Sequence, residues 1–192
     1  EAAFQKSATR PARHVASITK SNAQGYGMVL WDEVFDEVAA GFPEIDTESL
    51  LIDRAVMEFV RRPESFDVVV ASNLFGDILT DLAAIVVGSM GLAASANIDP
   101  TRTGPSMFEP VHGSAPDITG QGIANPLAAI LSAAMMLDHL QLHAAAAAIE
   151  HAVKSLLAEG GPRTPDLGGE ATTEQTGEAI AARIAIAAGV ST

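Results

Sequence analysis

Short apolar runs alternate with stretches of helical periodicity through the first half of the chain, and this alternation restricts the fold more than any other feature. HVASIT (14–19) has strand composition, and after it Trp31, Val34, Phe35, Val38, Ala39 and Phe42 recur at helical spacing until Gly41 and Pro43 end the pattern. That spacing predicts a helix over 27–40. A short strand over 50–52 then precedes a helix over 54–61 that Pro63 closes. The valine-rich run 67–71 reads as a buried strand, and the helix after it begins near Phe75 and reaches Val87. Strands and helices in this order predict an α/β fold whose sheet is covered on both faces.

The composition shifts at Gly88, where GSMGLAASANIDPTRTGPS predicts turns and irregular structure and places a domain boundary. Residues 107–126 read as a short strand and a long ordered loop. Two Ala-rich helices follow, over 126–140 and 143–158. Thr172 and Gln175 then offer a capping box for a last helix, with no tail expected beyond the final few residues. The chain opens on Glu1 rather than methionine, and EAAFQKSATR already reads as helix with no capping residue ahead of it. It is expected to begin inside a larger protein.

With 192 residues the chain can bury a sizeable core. Its formal net charge of -13 argues against nucleic-acid or anionic-membrane partners, because phosphate binding needs Lys and Arg to displace counterions. Small anionic substrates stay open if a metal supplies local positive charge. The absence of cysteine excludes disulfides, thiolate chemistry and Cys-based zinc sites. No segment approaches the roughly 20 apolar residues of a membrane span, and the beginning lacks the order of a signal peptide. A cytoplasmic location is expected.

Asp77 and Asp81 lie four residues apart in an apolar frame that includes Ile78, Leu79, Leu82 and Ala83. On a helix they share one face, about 6 Å apart along the axis. Two like charges so placed repel unless a hard cation with oxygen ligands, Mg²⁺ or Mn²⁺, lies between them. From spacing alone the pair is either such a site or the wet side of an amphipathic helix. Asp53, at a strand's end, is a third carboxylate where ligand sites of α/β sheets collect, or else a helix N-cap. Lys20, also leaving a strand, either shuttles a proton or is a solvated lysine, and Asn22 either orients a ligand or caps the next helix. HGSAPD (112–117) combines small residues that let a ligand approach backbone amides with an acidic residue able to accept a ribose hydroxyl. Its alternative is a turn-rich surface loop. Neither GxGxxG nor a P-loop occurs in the chain. His139 and His143 have metal-ligand spacing, yet they straddle the break expected near Gln141 and lack an inward third ligand.

TKSNA (19–23), NLFGDILTDLAA (73–84) and FEPVHGSAPDITGQGIANP (108–126) together resemble the metal-dependent β-decarboxylating dehydrogenases of 2-hydroxy acids. This is the isocitrate/isopropylmalate dehydrogenase family, whose order and spacing these segments keep. The resemblance implies an isopropylmalate dehydrogenase-like three-layer α/β fold with a non-Rossmann cofactor site, of which this chain is the C-terminal portion. Residues 1–88 would be part of the small dimerisation and metal-binding domain, and 89–192 the C-terminal part of the large NAD-binding domain. Asp77 and Asp81 would bind Mg²⁺ or Mn²⁺, with Asp53 contributed from the partner subunit of a homodimer, and Lys20 would be the acid/base lysine acting across that interface. Asn22 would stand near the nicotinamide, while His112, Gly113, Ser114, Ala115 and Asn125 would hold the adenine half of the cofactor. Asp117 would select NAD by accepting a ribose hydroxyl and repelling a 2′-phosphate.

For the substrate, TKSNAQ and MVLWDEVF look like the tartrate and D-malate enzymes, whereas HGSAPDI and NPLAAILSAAMML look like the isopropylmalate enzymes. The implied activity is therefore NAD- and Mg/Mn-dependent oxidative decarboxylation of a 2-hydroxy dicarboxylic acid of the D-malate/tartrate type. The alternatives are 3-isopropylmalate dehydrogenation in leucine biosynthesis and a noncatalytic dimerising fragment. The family's substrate-binding arginines and catalytic tyrosine lie upstream of Glu1, and Tyr26 does not occupy the matching position, so these 192 residues alone are expected to be inactive.

Overall fold

In the computed structural model, which describes residues 1–187, the strand His14–Thr19 (β1) is flanked by two parallel neighbours, Asp46–Leu51 (β2) and Val68–Val70 (β3). Register pairs Thr19 with Leu51 and Ser17 with Val70, so the three strands run the same way and end close together. Successive side chains of a strand point to opposite faces, and Val15 and Ile18 accordingly enter two different apolar clusters. Ile18 joins Leu50, Ala55, Phe75 and Leu79, whereas Val15 joins Phe4, Phe35 and Ile45. Both faces of the sheet are covered, as the alternation of strands and helices predicts.

The helices supplying these clusters are Ala2–Ala8 (α1), Gly27–Ala39 (α2), Ile52–Arg61 (α3) and Asn73–Val87 (α4). Trp31 of α2 donates its indole N–H to the buried Ser17 hydroxyl at 2.9 Å, which satisfies a polar group in the middle of the sheet. Backbone contacts divide the chain into two compact units, Glu1–Val86 and Val87–Thr192.

The second unit holds an antiparallel ribbon of Ala94–Asn97 (β4) and Met107–Pro110 (β5), against which the helix Leu127–His139 (α5) packs. His143–Ala158 (α6) packs on α5, and Thr173–Ala187 (α7) packs on α6. Leu127, Ala152, Val153, Leu156 and Ile180 form the core of this unit. Alanine along α5 and α6 keeps the helices close, and the buried Ser132 hydroxyl is satisfied by the Ala128 carbonyl at 2.8 Å. Gln141, with φ 63°, makes the break between the two helices.

Four expectations need correction. The strand expected at 50–52 begins at Asp46; its polar residues suit an edge strand with an exposed side, and helix takes over from Ile52. The run expected to be a buried strand is the half-buried edge strand β3, since β1 occupies the centre of the sheet. Helix α4 starts two residues earlier than Phe75, at Asn73. The stretch read as irregular after Gly88 contains β4, whose ASAN composition has little strand propensity and which is a strand because β5 pairs with it. The expectation about the final few residues falls outside the described part of the chain.

Candidate functional site

In the first unit, the residues after each strand's C-terminal end carry the charged side chains. Lys20 follows β1, Asp53 stands in the first turn of α3 just after β2, and α4 leaves β3 through Ala71 and Ser72. Asp53 is therefore neither a strand residue nor the N-cap, which is Leu51, but an acidic group in a first helical turn, where the peptide dipoles favour it. The pairing of Thr19 with Leu51 brings Lys20 and Asp53 within reach, and Nζ donates a hydrogen bond to Oδ1. That bond holds the Asp53 carboxyl below its usual range. Lys20 is half-buried and Asp53 exposed.

Asp77 and Asp81 point outward from α4, opposite Phe75, Leu79 and Ala84, and neither carboxylate has a side-chain partner among the described residues. Spacing and exposure give two oxygen donors on one helical face, which suits a hard divalent cation. No group of three or more His, Asp or Glu able to hold a metal occurs among the described residues. Asp53 is not brought into a ligand set with the α4 pair. Asn22 lies exposed in the turn after Lys20.

In the second unit a cavity of about 630 Å³ gathers His112, Gly113, Ser114, Ala115 and Asn125. Its volume is that of a small-molecule or cofactor site. His112 Nδ1 donates to the Gly113 carbonyl at 2.9 Å, an orientation that leaves Nε2 available to a ligand. Ala115 has φ 43°, a left-handed conformation that an alanine before proline rarely adopts, and it bends the loop into the short 3-10 turn Pro116–Ile118. Nothing lies within 4 Å of where a side chain on Gly113 would start, so the loop backbone is open to close approach. Asp117 is not among the residues lining the cavity; it stands exposed on the 3-10 turn, its carbonyl held by the Gln121 side chain at 2.8 Å. Thr173, opening α7, ties down the far side of the loop by donating from N to Gly122 O at 2.8 Å and from Oγ1 to Ala124 O at 2.5 Å.

Sequence reasoning passed over three residues that bond to one another, Ser89, Thr164 and Asp166, of which Ser89 and Asp166 line this cavity. Ser89 and Thr164 are buried, and both donate their hydroxyls to the Asp166 carboxylate, Thr164 at 2.5 Å. Asn125 Nδ2 donates to the same carboxylate at 2.9 Å. Burial opposes ionisation of Asp166, but these three donors outweigh it and hold the carboxyl below its usual range. The only signal in the sequence was a TPDLGG turn 41 residues from Asn125, which on its own reads as a loop. His139 and His143 go separate ways: His139 Nε2 is 3.4 Å from Ser106 Oγ, and His143 pairs with Asp138 at 2.7 Å.

The family model described as isocitrate/isopropylmalate dehydrogenase matches residues 1–180. A probable tartrate dehydrogenase/decarboxylase of Agrobacterium vitis is 50% identical over 183 residues, which is 95% of this chain and 51% of that protein. The 3-isopropylmalate dehydrogenase of Streptomyces griseus is 52% identical over the same share of each chain. Among solved structures, isocitrate dehydrogenase from Methylococcus capsulatus superposes with a TM-score of 0.89 at 42% identity, covering 95% of this chain and 54% of that one. The chain spans about half the length of the relatives it matches.

Proposed function

The chain belongs to the isocitrate/isopropylmalate dehydrogenase family, and from this premise we propose that the native protein carrying it oxidises a 2-hydroxy dicarboxylic acid with NAD and removes CO₂ from the product. The observation that carries the reading is the set of four charged side chains following the C-terminal ends of the parallel strands: Lys20 paired with Asp53, and Asp77 with Asp81 exposed on one face of α4. Asp77 and Asp81 would hold Mg²⁺ or Mn²⁺, which when bound supplies a Lewis acid for the substrate's hydroxyl and keto oxygens. Lys20 Nζ, already donating to a carboxylate, is the group that would give and take a proton at the substrate. Asn22 would stand near the nicotinamide. His112 to Ala115 and Asn125 would line the adenine half of NAD, and the exposed Asp117 carboxylate would disfavour a 2′-phosphate. Residues 1–88 would then serve dimerisation and metal binding, and 89–192 the cofactor.

The same reading proposes a homodimer with a shared site, and two features support it. The α4 pair supplies two donors only, while Leu74, Ile78 and Ile85 on α4, with Met57 and Val60 on α3, leave apolar surface exposed beside them. Asp53 would complete the metal site on the partner subunit, and Lys20 would serve the same site.

D-malate or tartrate is the preferred substrate class on the strength of TKSNAQ and MVLWDEVF. The Streptomyces relative is the observation that keeps 3-isopropylmalate as the second reading. Steady-state assays of the native protein with NAD and Mn²⁺ decide, with the highest kcat/KM expected on D-malate or tartrate. Preference for 3-isopropylmalate replaces the substrate, and folded, Mn²⁺-binding protein that reduces no NAD with any of the three acids overturns the reading.

A further inference from the structure

We propose that Asp166 is a positioning residue for the cofactor cavity, acting through Asn125 and Ser89 rather than on the ligand itself. Two segments distant in sequence end on its carboxylate, the turn at Ser89 and Asn125 just ahead of α5, and Thr164 of its own loop adds a third donor. Ser89, Asn125 and Asp166 all line the cavity that also holds the His112 to Ala115 loop. A carboxylate that accepts from three donors at once fixes where each donor's backbone lies.

The Asn125 amide is committed at both ends. Its Nδ2 donates to Asp166 Oδ2 at 2.9 Å, which orients Oδ1 to accept from the Leu127 N–H at 2.9 Å in the first turn of α5. With both polar ends engaged, the Asn125 side chain is a strut, and what it offers a ligand is its backbone. On the other side, the Ser89 hydroxyl donates to Asp166 and accepts from the Gly91 N–H at 2.9 Å, so the turn is stitched to the same anchor. Close packing makes this arrangement exacting. A Cβ added to Gly91 would stand 2.6 Å from Asn125 Cβ and 2.7 Å from Asp166 Oδ2. The loop bearing Asp166 is itself closed by Gly169 N–H to Thr164 O at 3.1 Å and Ala171 N–H to Arg163 O at 2.9 Å.

The inference rests on the reading of this cavity as the adenine half of an NAD site, and the test separates the two. NADH binding to the native protein is followed by fluorescence, alongside Mn²⁺ binding and steady-state kinetics, for wild type, Asp166→Ala, Asp166→Asn, Gly91→Ala, Asn125→Ala and the double variant at 125 and 166. Asp166→Ala should raise the Kd for NADH and the KM for NAD about ten-fold or more, with kcat within about two-fold and Mn²⁺ affinity unchanged. Asp166→Asn, which keeps one acceptor, should fall between it and wild type, and Gly91→Ala should follow Asp166→Ala. Because Asp166 acts through Asn125, the double variant should bind no more weakly than the poorer single one. If Asp166→Ala does not fold, Asp166→Asn and Gly91→Ala carry the same expectation. Wild-type affinity for NADH in the folded Asp166 and Gly91 variants, or additive losses in the double variant, overturns the positioning role alone. A wild type that binds no NADH overturns the cofactor reading and this inference with it.

Discussion

At Asp99 one carboxylate organises the connection between β4 and β5. It accepts from the backbone N–H groups of Thr101, Thr103 and Gly104 at 2.7 to 2.9 Å and from the Thr101 hydroxyl at 2.7 Å, and these bonds hold its carboxyl far below the usual range. A group whose folded value is depressed stabilises the fold above its ordinary value of 3.8 and loses that contribution as pH falls toward the folded value. The loop should therefore keep its amides protected through mildly acid pH. Hydrogen exchange at Thr101, Thr103 and Gly104 checks this, with Asp99→Ala expected to remove the protection already at pH 7. Asp117 illustrates the opposite case, a carboxylate left exposed. Replacing it by lysine should raise kcat/KM with NADP relative to NAD by about ten-fold or more, since a repulsive group becomes an attractive one. An unchanged ratio in paired assays would remove Asp117 from cofactor choice.

Helix α7 begins with the reciprocal pair that its sequence promises. Gln175 N–H donates to Thr172 Oγ1 at 3.2 Å, and Thr172 N–H donates to Gln175 Oε1 at 2.9 Å. Thr172→Ala should cost about 1 kcal/mol, measured by denaturant unfolding. This element was legible because both partners sit within one turn, and the same locality made α2, α5 and α6 readable from apolar spacing. That Asp77 and Asp81 share one face of a helix was legible for that reason too. What sequence could not supply is contact between segments far apart. Strand β4 exists through its pairing with β5, the polar half of β2 through its pairing with β1, and the Asp166 cluster through a fold that joins residues 89, 125 and 166. Composition carries none of this, because alanine, serine and asparagine in β4 and a proline-flanked aspartate at 166 each have ordinary local explanations.

For the molecule as a whole, the decisive question is whether one chain completes the metal site proposed for it. Lys20 and Asp53 are engaged with each other, and Asp77 and Asp81 have no third ligand among the described residues. If the two pairs meet across a dimer, Lys20→Ala and Asp77→Asn each inactivate the homodimer by damaging different halves of every site. Mixing the two under conditions that exchange subunits should restore about a quarter of wild-type activity, because half the dimers are mixed and each mixed dimer has one intact site of two. Activity that stays absent after confirmed exchange places all four residues in one subunit's site. With a formal charge of -13, the chain would depend on a cation in the proposed site to take an anionic substrate. The rungs from His14–Asp46 to Thr19–Leu51 add a consequence of another kind. Lys20 is one residue past the last rung and Asp53 two, and slipping a strand by one residue turns every side chain to the opposite face. Descendants of this chain can therefore exchange strand residues within what the packed core admits, but a single inserted or deleted residue within either strand would part Lys20 from Asp53, so at this end of the sheet lineages should diverge by substitution and keep their length.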